Sequence, residues 1–137
     1  MHLIVALAAL AAPRPAEPRL VAPDAPVTVG EVVPLRIVAV QPGGVRIDGC
    51  APVELERREG DAWKALPTVG CDKAIVATAV EKELTVSVPA PEPGEYRAVL
   101  SWGTGCTPNL PFAVAACAQT GFVRSAPFTV RSADAKP

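Results

Sequence analysis

The chain has 137 residues, with 13 lysines and arginines against 14 aspartates and glutamates and a formal net charge of -1. Half of the residues are hydrophobic, and 16 prolines with 10 glycines stay below the share typical of low-complexity chains, so one packed domain is expected. Near-neutrality without a basic stripe argues against nucleic-acid binding through phosphates. The single histidine, His2, leaves little for acid-base or metal chemistry, so neither an enzyme nor a cofactor is expected.

In chain order, the first element is an apolar run from Leu3 to Ala12, followed by Pro13 and Arg14. It is shorter than the ~20 residues that cross a bilayer and fits the apolar core of a secretory signal, although its leading residues carry only His2 where a lysine or arginine is usual. Ala9-Leu10-Ala11 supplies small residues around a cut after Ala11. The opposing reading, an apolar first strand of the fold, is weakened by the alanine content. No cysteine precedes Cys50, so a lipid-modified N-terminal cysteine is not expected. The expected organisation is a signal peptide over 1–11, a proline-rich segment with the first strand over 12–26, a folded body over 27–131 and a flexible tail over 132–137.

Beyond this the hydrophobic period is two. Leu35, Ile37 and Ala39 alternate with Arg36 and Val38, and the turn signal Gln41-Pro42-Gly43-Gly44 follows. Val53 and Leu55 alternate with Glu54 and Glu56 before the turn at Glu59-Gly60-Asp61, and the run Glu54, Glu56, Arg57, Arg58 and Glu59 reads as a solvated face. Ala74 to Glu83 has spacing for one short helical turn. Leu84, Val86 and Val88 predict another strand, as do Tyr96, Ala98, Leu100 and Trp102 after a Pro/Gly-rich turn, and a last strand falls near Phe128 to Arg131. The class is all-β, an antiparallel sandwich of about seven strands.

Four cysteines, Cys50, Cys71, Cys106 and Cys117, in an exported chain predict two disulfides and a secreted or periplasmic location. No Cys-x-x-Cys pair is present and no histidine follows His2, which argues against zinc. Three pairings are open at this point.

The run Pro93-Gly94-Glu95-Tyr96-Arg97-Ala98-Val99-Leu100 resembles the entry to strand F of immunoglobulin-like and fibronectin type III-like domains, and Ser125 to Val130 is similar to their closing strand G. Val53 to Arg58, with Gly60, Trp63 and Leu66, looks like the C to C′ hairpin of bacterial members. The resemblance spans about Arg19 to Arg131. It implies a tyrosine corner at Tyr96, a structural role. It also implies that all four cysteines gather at one end of the sandwich, pairing Cys50 with Cys71 and Cys106 with Cys117, with Cys50 to Cys106 as the competing link. Ala98 stands where strand F of antibody domains carries its core cysteine, so no inter-sheet core disulfide is expected.

From Ser101 to Val123 no residue is charged. Within this segment Asn109, Leu110, Pro111, Phe112 and Val114 are the candidate partner-binding residues, because two prolines and a disulfide lower the entropy lost on binding. The competing reading has Leu110, Phe112 and Val114 folding back to cap the open end of the sandwich. Asp48 and Asp72 form a conceivable calcium site or simple turn formers. Ser101 and Ser125 lack a histidine base, which argues against a hydrolase. The expected function is an exported binding module engaging a protein or glycan partner through disulfide-braced loops. It is expected to be a monomer, with no nucleic acid and no membrane span in the mature chain. The alternatives are a secreted protease inhibitor or a spacer of a cell-envelope assembly.

Overall fold

The computed structural model describes residues 17–67, 71, 75–89 and 92–134, so segment 1–11, where a signal peptide is expected, lies outside the described residues. Among the described residues eleven strands follow one another: β1 (Arg19–Val21), β2 (Val27–Thr28), β3 (Val32–Val38), β4 (Val45–Ile47), β5 (Val53–Glu59), β6 (Ala62–Ala65), β7 (Thr78–Val80), β8 (Glu83–Pro89), β9 (Gly94–Thr104), β10 (Gln119–Arg124) and β11 (Phe128–Arg131). The count exceeds the expected seven because long strands are broken and short ones were invisible. Asp48 turns the chain between β4 and β5 by accepting the amides of Cys50 and Ala51 at 2.8 and 3.1 Å. Pro127 lies in the break between β10 and β11.

The short helix expected over 74–83 is not formed. Its described part contains β7, which pairs antiparallel with β4 and buries Val80 against the core. Val80 is β-branched, and with Thr78 it suits a pleated surface better than a helix turn.

Two sheets result. One is β1-β3-β8, antiparallel throughout. The other is centred on β9, which pairs with β11 at Gly94–Tyr96 and β10 at Val99–Thr104 along one side, and with β5 at Tyr96–Leu100 and β4 at Gly103 along the other. The parallel pairing of β2 with β11 extends the β11 side, and β6 extends β5. The core between them takes Leu20, Val33, Leu35 and Ile37 from the first sheet and Val53, Leu55, Tyr96, Ala98, Leu100, Trp102, Phe128 and Val130 from the second. The alternation at positions 96, 98, 100 and 102 therefore points inward, while Glu95, Arg97, Val99, Ser101 and Gly103 belong to the outer face.

The charged run on β5 is more than a solvated face. On the outer side Arg97 Nε donates to Glu56 Oε1 at 2.6 Å, and Arg124 Nε lies 3.7 Å from the same oxygen. The Arg97 guanidinium sits 4.6 Å from the Trp63 ring centroid. Ser125 ties β10 to β9: its Oγ accepts the Ala98 amide at 2.9 Å and its own amide donates to the Ala98 carbonyl at 2.9 Å. That buried hydroxyl is a structural strut.

Tyr96 is completely buried, stacked 6.1 Å from Phe128, with its hydroxyl donating to the Glu92 carbonyl at 2.9 Å. Tyr96→Phe is expected to cost about 1–2 kcal/mol, because the Glu92 carbonyl loses its donor. Burial is the main cause that pushes the phenol above its ordinary value, with Glu92 adding to the effect and Arg57 opposing it. A raised folded-state value means that this stabilisation is complete below the unfolded phenol's range and is lost as pH rises through the folded value. The wild type should thus lose stability in alkali more steeply than Tyr96→Phe, as measured by urea denaturation across the alkaline range. Parallel pH profiles would contradict this assignment.

Candidate functional site

The uncharged segment is not one loop. Ser101–Thr104 completes β9 and Gln119–Val123 belongs to β10, so the connection proper spans 105–118. Its neck is closed by Ala118 N–H to Thr104 O at 2.9 Å, Thr107 N–H to Ala116 O at 2.8 Å, and the Cys106–Cys117 disulfide with Cα atoms 3.8 Å apart. Gly105 turns the chain at φ +60, where a Cβ would come 2.9 Å from the Ala118 Cβ.

The loop folds over the outer face of the β9 sheet. A Cβ on Gly103 would lie 2.8 Å from Cys117 Sγ, 2.9 Å from Cys106 Sγ and 3.2 Å from Phe112 Cε2, so the disulfide and the Phe112 ring occupy the space left by the missing side chain. Phe112 is accordingly part-buried, and Gly103 is buried beneath it. This corrects the capping reading: the aromatic anchor packs on the sheet's outer surface.

From this anchor the loop reaches the segment after Cys71. Pro111 bridges to Val76, Ala77 N–H donates to Leu110 O at 2.9 Å, and the Pro111 carbonyl accepts Val114 N–H at 3.1 Å and Ala115 N–H at 3.0 Å in a tight turn. Asn109, at φ 60, takes the left-handed conformation that this residue tolerates better than most. Segment 75–76 in turn lies against Gly49, where a Cβ would be 2.3 Å from Val76 O and 2.9 Å from Ile75 Cγ2. The Cys50–Cys71 disulfide, Cα atoms 5.9 Å apart, clamps the same corner.

Three segments, 48–51, 75–77 and 107–116, thereby form one end of the molecule. On it Ile75, Val76, Leu110 and Val114 are 49%, 47%, 36% and 67% exposed. Neither 75–77 nor 105–118 contains an ionisable group apart from the bridged cysteines. Water-facing apolar groups held this firmly are suited to contact with another apolar surface.

Of the residues expected to bind, Leu110 and Val114 are presented, Asn109 shapes the turn, Pro111 joins the neighbouring segment, and Phe112 anchors the loop. Sequence reasoning missed Ile75 and Val76, which were assigned to a helical turn. Their signal was position: they follow closely on Cys71, whose pairing with Cys50 carries them to this end. Asp72 lies outside the described residues, and Asp48 spends its carboxylate oxygen on backbone amides. Among the described residues no three His, Cys, Asp or Glu side chains gather as a metal-binding group.

Comparison with family models, curated proteins and solved structures returns no match. Function must therefore be read from the residues themselves.

Proposed function

We propose that the chain is an exported, immunoglobulin-like binding module that docks a protein partner on its disulfide-braced end. The immunoglobulin-like reading is supported by the strand order. The β1-β3-β8 sheet matches strands A, B and E, the β2-β11-β9-β5-β6 side matches A′, G, F, C and C′, and the Tyr96 hydroxyl ties strand F to the turn before it. Export is supported by the signal-like run and by two disulfides, which persist in oxidising compartments. The observation that carries the binding reading is the exposed apolar group Ile75, Val76, Leu110 and Val114 on a frame rigidified by both disulfides. Its aliphatic chemistry favours a protein surface over a glycan, which is usually met by exposed aromatic rings and polar side chains.

The double variant Leu110→Ser, Val114→Ser tests this reading. Both side chains face water, so unfolding free energy should stay within about 0.5 kcal/mol of wild type. Partner binding should fall about thirtyfold or more if the pair is a central anchor. A photocrosslinking residue at position 114 should capture one species in exporting cells, while the same residue at position 40, exposed on another part of the surface, should not. Identical capture at both positions, or a fully active double variant, would overturn the assignment. Inhibition of a protease panel by the purified protein would redirect it to the inhibitor reading.

A further inference from the structure

Apart from the exposed Arg19, the arginines of the two sheets are engaged among the described residues, with one exception. Arg36 pairs with Glu83, Arg57 with Glu92 and Arg58 with Glu95, Arg97 and Arg124 share Glu56, and Arg131 Nε donates to Thr28 Oγ1 at 3.3 Å. The exception is Arg46 on β4. It is part-buried, yet among the described residues its side chain makes no hydrogen bond or ion pair. Asp48, two residues on, forms no ion pair with it and holds the Cys50 and Ala51 amides instead. A guanidinium partly withdrawn from water without an acceptor is unfavourable by itself.

Its place in the fold gives this cation a neighbourhood. Val45 and Ile47 are buried in the core, so strand alternation turns Arg46 to the outer face. There it stands across from Gly103 on β9 and Ala79 on β7, and neither neighbour carries a long side chain to lay over it. The Cys106–Cys117 sulfurs and the Phe112 ring occupy the hollow over Gly103. Ala79 follows Val76 by three residues, about 10 Å of extended chain. Arg46 thus borders the apolar group Ile75, Val76, Leu110 and Val114, whose own segments supply no charge.

We infer that Arg46 is the electrostatic half of the docking surface and pairs with an aspartate or glutamate side chain that the protein partner sets beside its apolar contact residues. This rests on the binding reading of the disulfide-braced end. The planar guanidinium can take both oxygens of one carboxylate, and apolar contact around the pair excludes the water that would weaken it. A side-chain carboxylate is favoured over a chain terminus, because termini are captured by nests of free backbone amides and β4 is strand-paired on both sides.

The test pans a displayed library of short random peptides against the intact, oxidised chain. Peptides whose recovery is lost on the Leu110→Ser, Val114→Ser variant should carry an acid beside leucine, isoleucine, valine or phenylalanine. Synthesised with an amidated C-terminus, such a peptide should lose about tenfold or more in affinity when its acid becomes the amide, and as much when the protein carries Arg46→Met. Both changes together should cost little more than either alone, and Arg46→Lys should recover part of the loss. Because the guanidinium has no acceptor in the free protein, Arg46→Met should keep Tm within about 3 °C of wild type or raise it. Equal affinity of acid and amide peptides, additive losses, or binding that requires a free C-terminus would overturn the role of Arg46 and leave the apolar docking surface standing. Recovery of no peptide, or recovery indifferent to Leu110→Ser, Val114→Ser, would overturn both. A fall in Tm on Arg46→Met that disappears in the Asp72→Asn background would overturn the inference by showing the guanidinium to be an internal strut.

Discussion

Replacing Trp102 by alanine is expected to lower the unfolding free energy by about 3–5 kcal/mol, whereas phenylalanine should cost about 1 kcal/mol or less. Trp102 is completely buried on β9, and the residue directly across on β10 is Gly121, which brings no side chain to that position. Truncation to alanine therefore opens a large cavity between the sheets. The phenylalanine case differs because the indole Nε1 is buried without a hydrogen-bond partner among the described residues. An unpaired buried donor is itself unfavourable, so a ring lacking the N–H recovers part of the packing lost with the smaller volume. Urea titrations of both variants, with slopes matching wild type, would measure the difference. Equal destabilisation by the two substitutions would show that the indole nitrogen is satisfied in solution.

The inward residues of β3, β5 and β9 were legible from sequence because each carries apolar side chains at every second position over a long strand. Leu35 and Ile37, Val53 and Leu55, and Tyr96 to Trp102 all lie in the core. Residues 45–47 and 78–80 were not legible, since a three-residue strand shows hardly one period of alternation. Nor did alternation mark Gln119–Arg124, where the inward positions are Gln119, Gly121 and Val123 and the exposed Phe122 points outward. The candidate site was half legible. An uncharged loop between cysteines identified Leu110 and Val114, but Phe112 became an anchor because Gly103, on another strand, leaves a hollow for its ring. That relation is tertiary and depends on the fold being known.

Removing either disulfide should destabilise the molecule by roughly 3 kcal/mol if loop closure in the unfolded chain dominates, and the two removals should then differ by only about half a kcal/mol. Cys50 and Cys71 are 21 residues apart and Cys106 and Cys117 are 11 apart, so the first pair should cost slightly more on this account. Native packing works in the opposite direction. The sulfurs of Cys106 and Cys117 fill the hollow over Gly103 together with Phe112, and alanine at both positions uncovers part of it. The first pair instead clamps the approach to Ile75 and Val76, which are otherwise held to the long loop by the Ala77 to Leu110 hydrogen bond and the bridge to Pro111. Cys50→Ala, Cys71→Ala should therefore speed hydrogen exchange at the Ala77 amide while leaving the Thr107 and Ala118 amides at the loop neck protected. Cys106→Ala, Cys117→Ala should loosen the neck and, by freeing the Leu110 carbonyl, Ala77 as well. If Ala77 exchanges at the wild-type rate once Cys50 and Cys71 are gone, the backbone bridge alone positions Ile75 and Val76, and the first disulfide acts only on the unfolded chain.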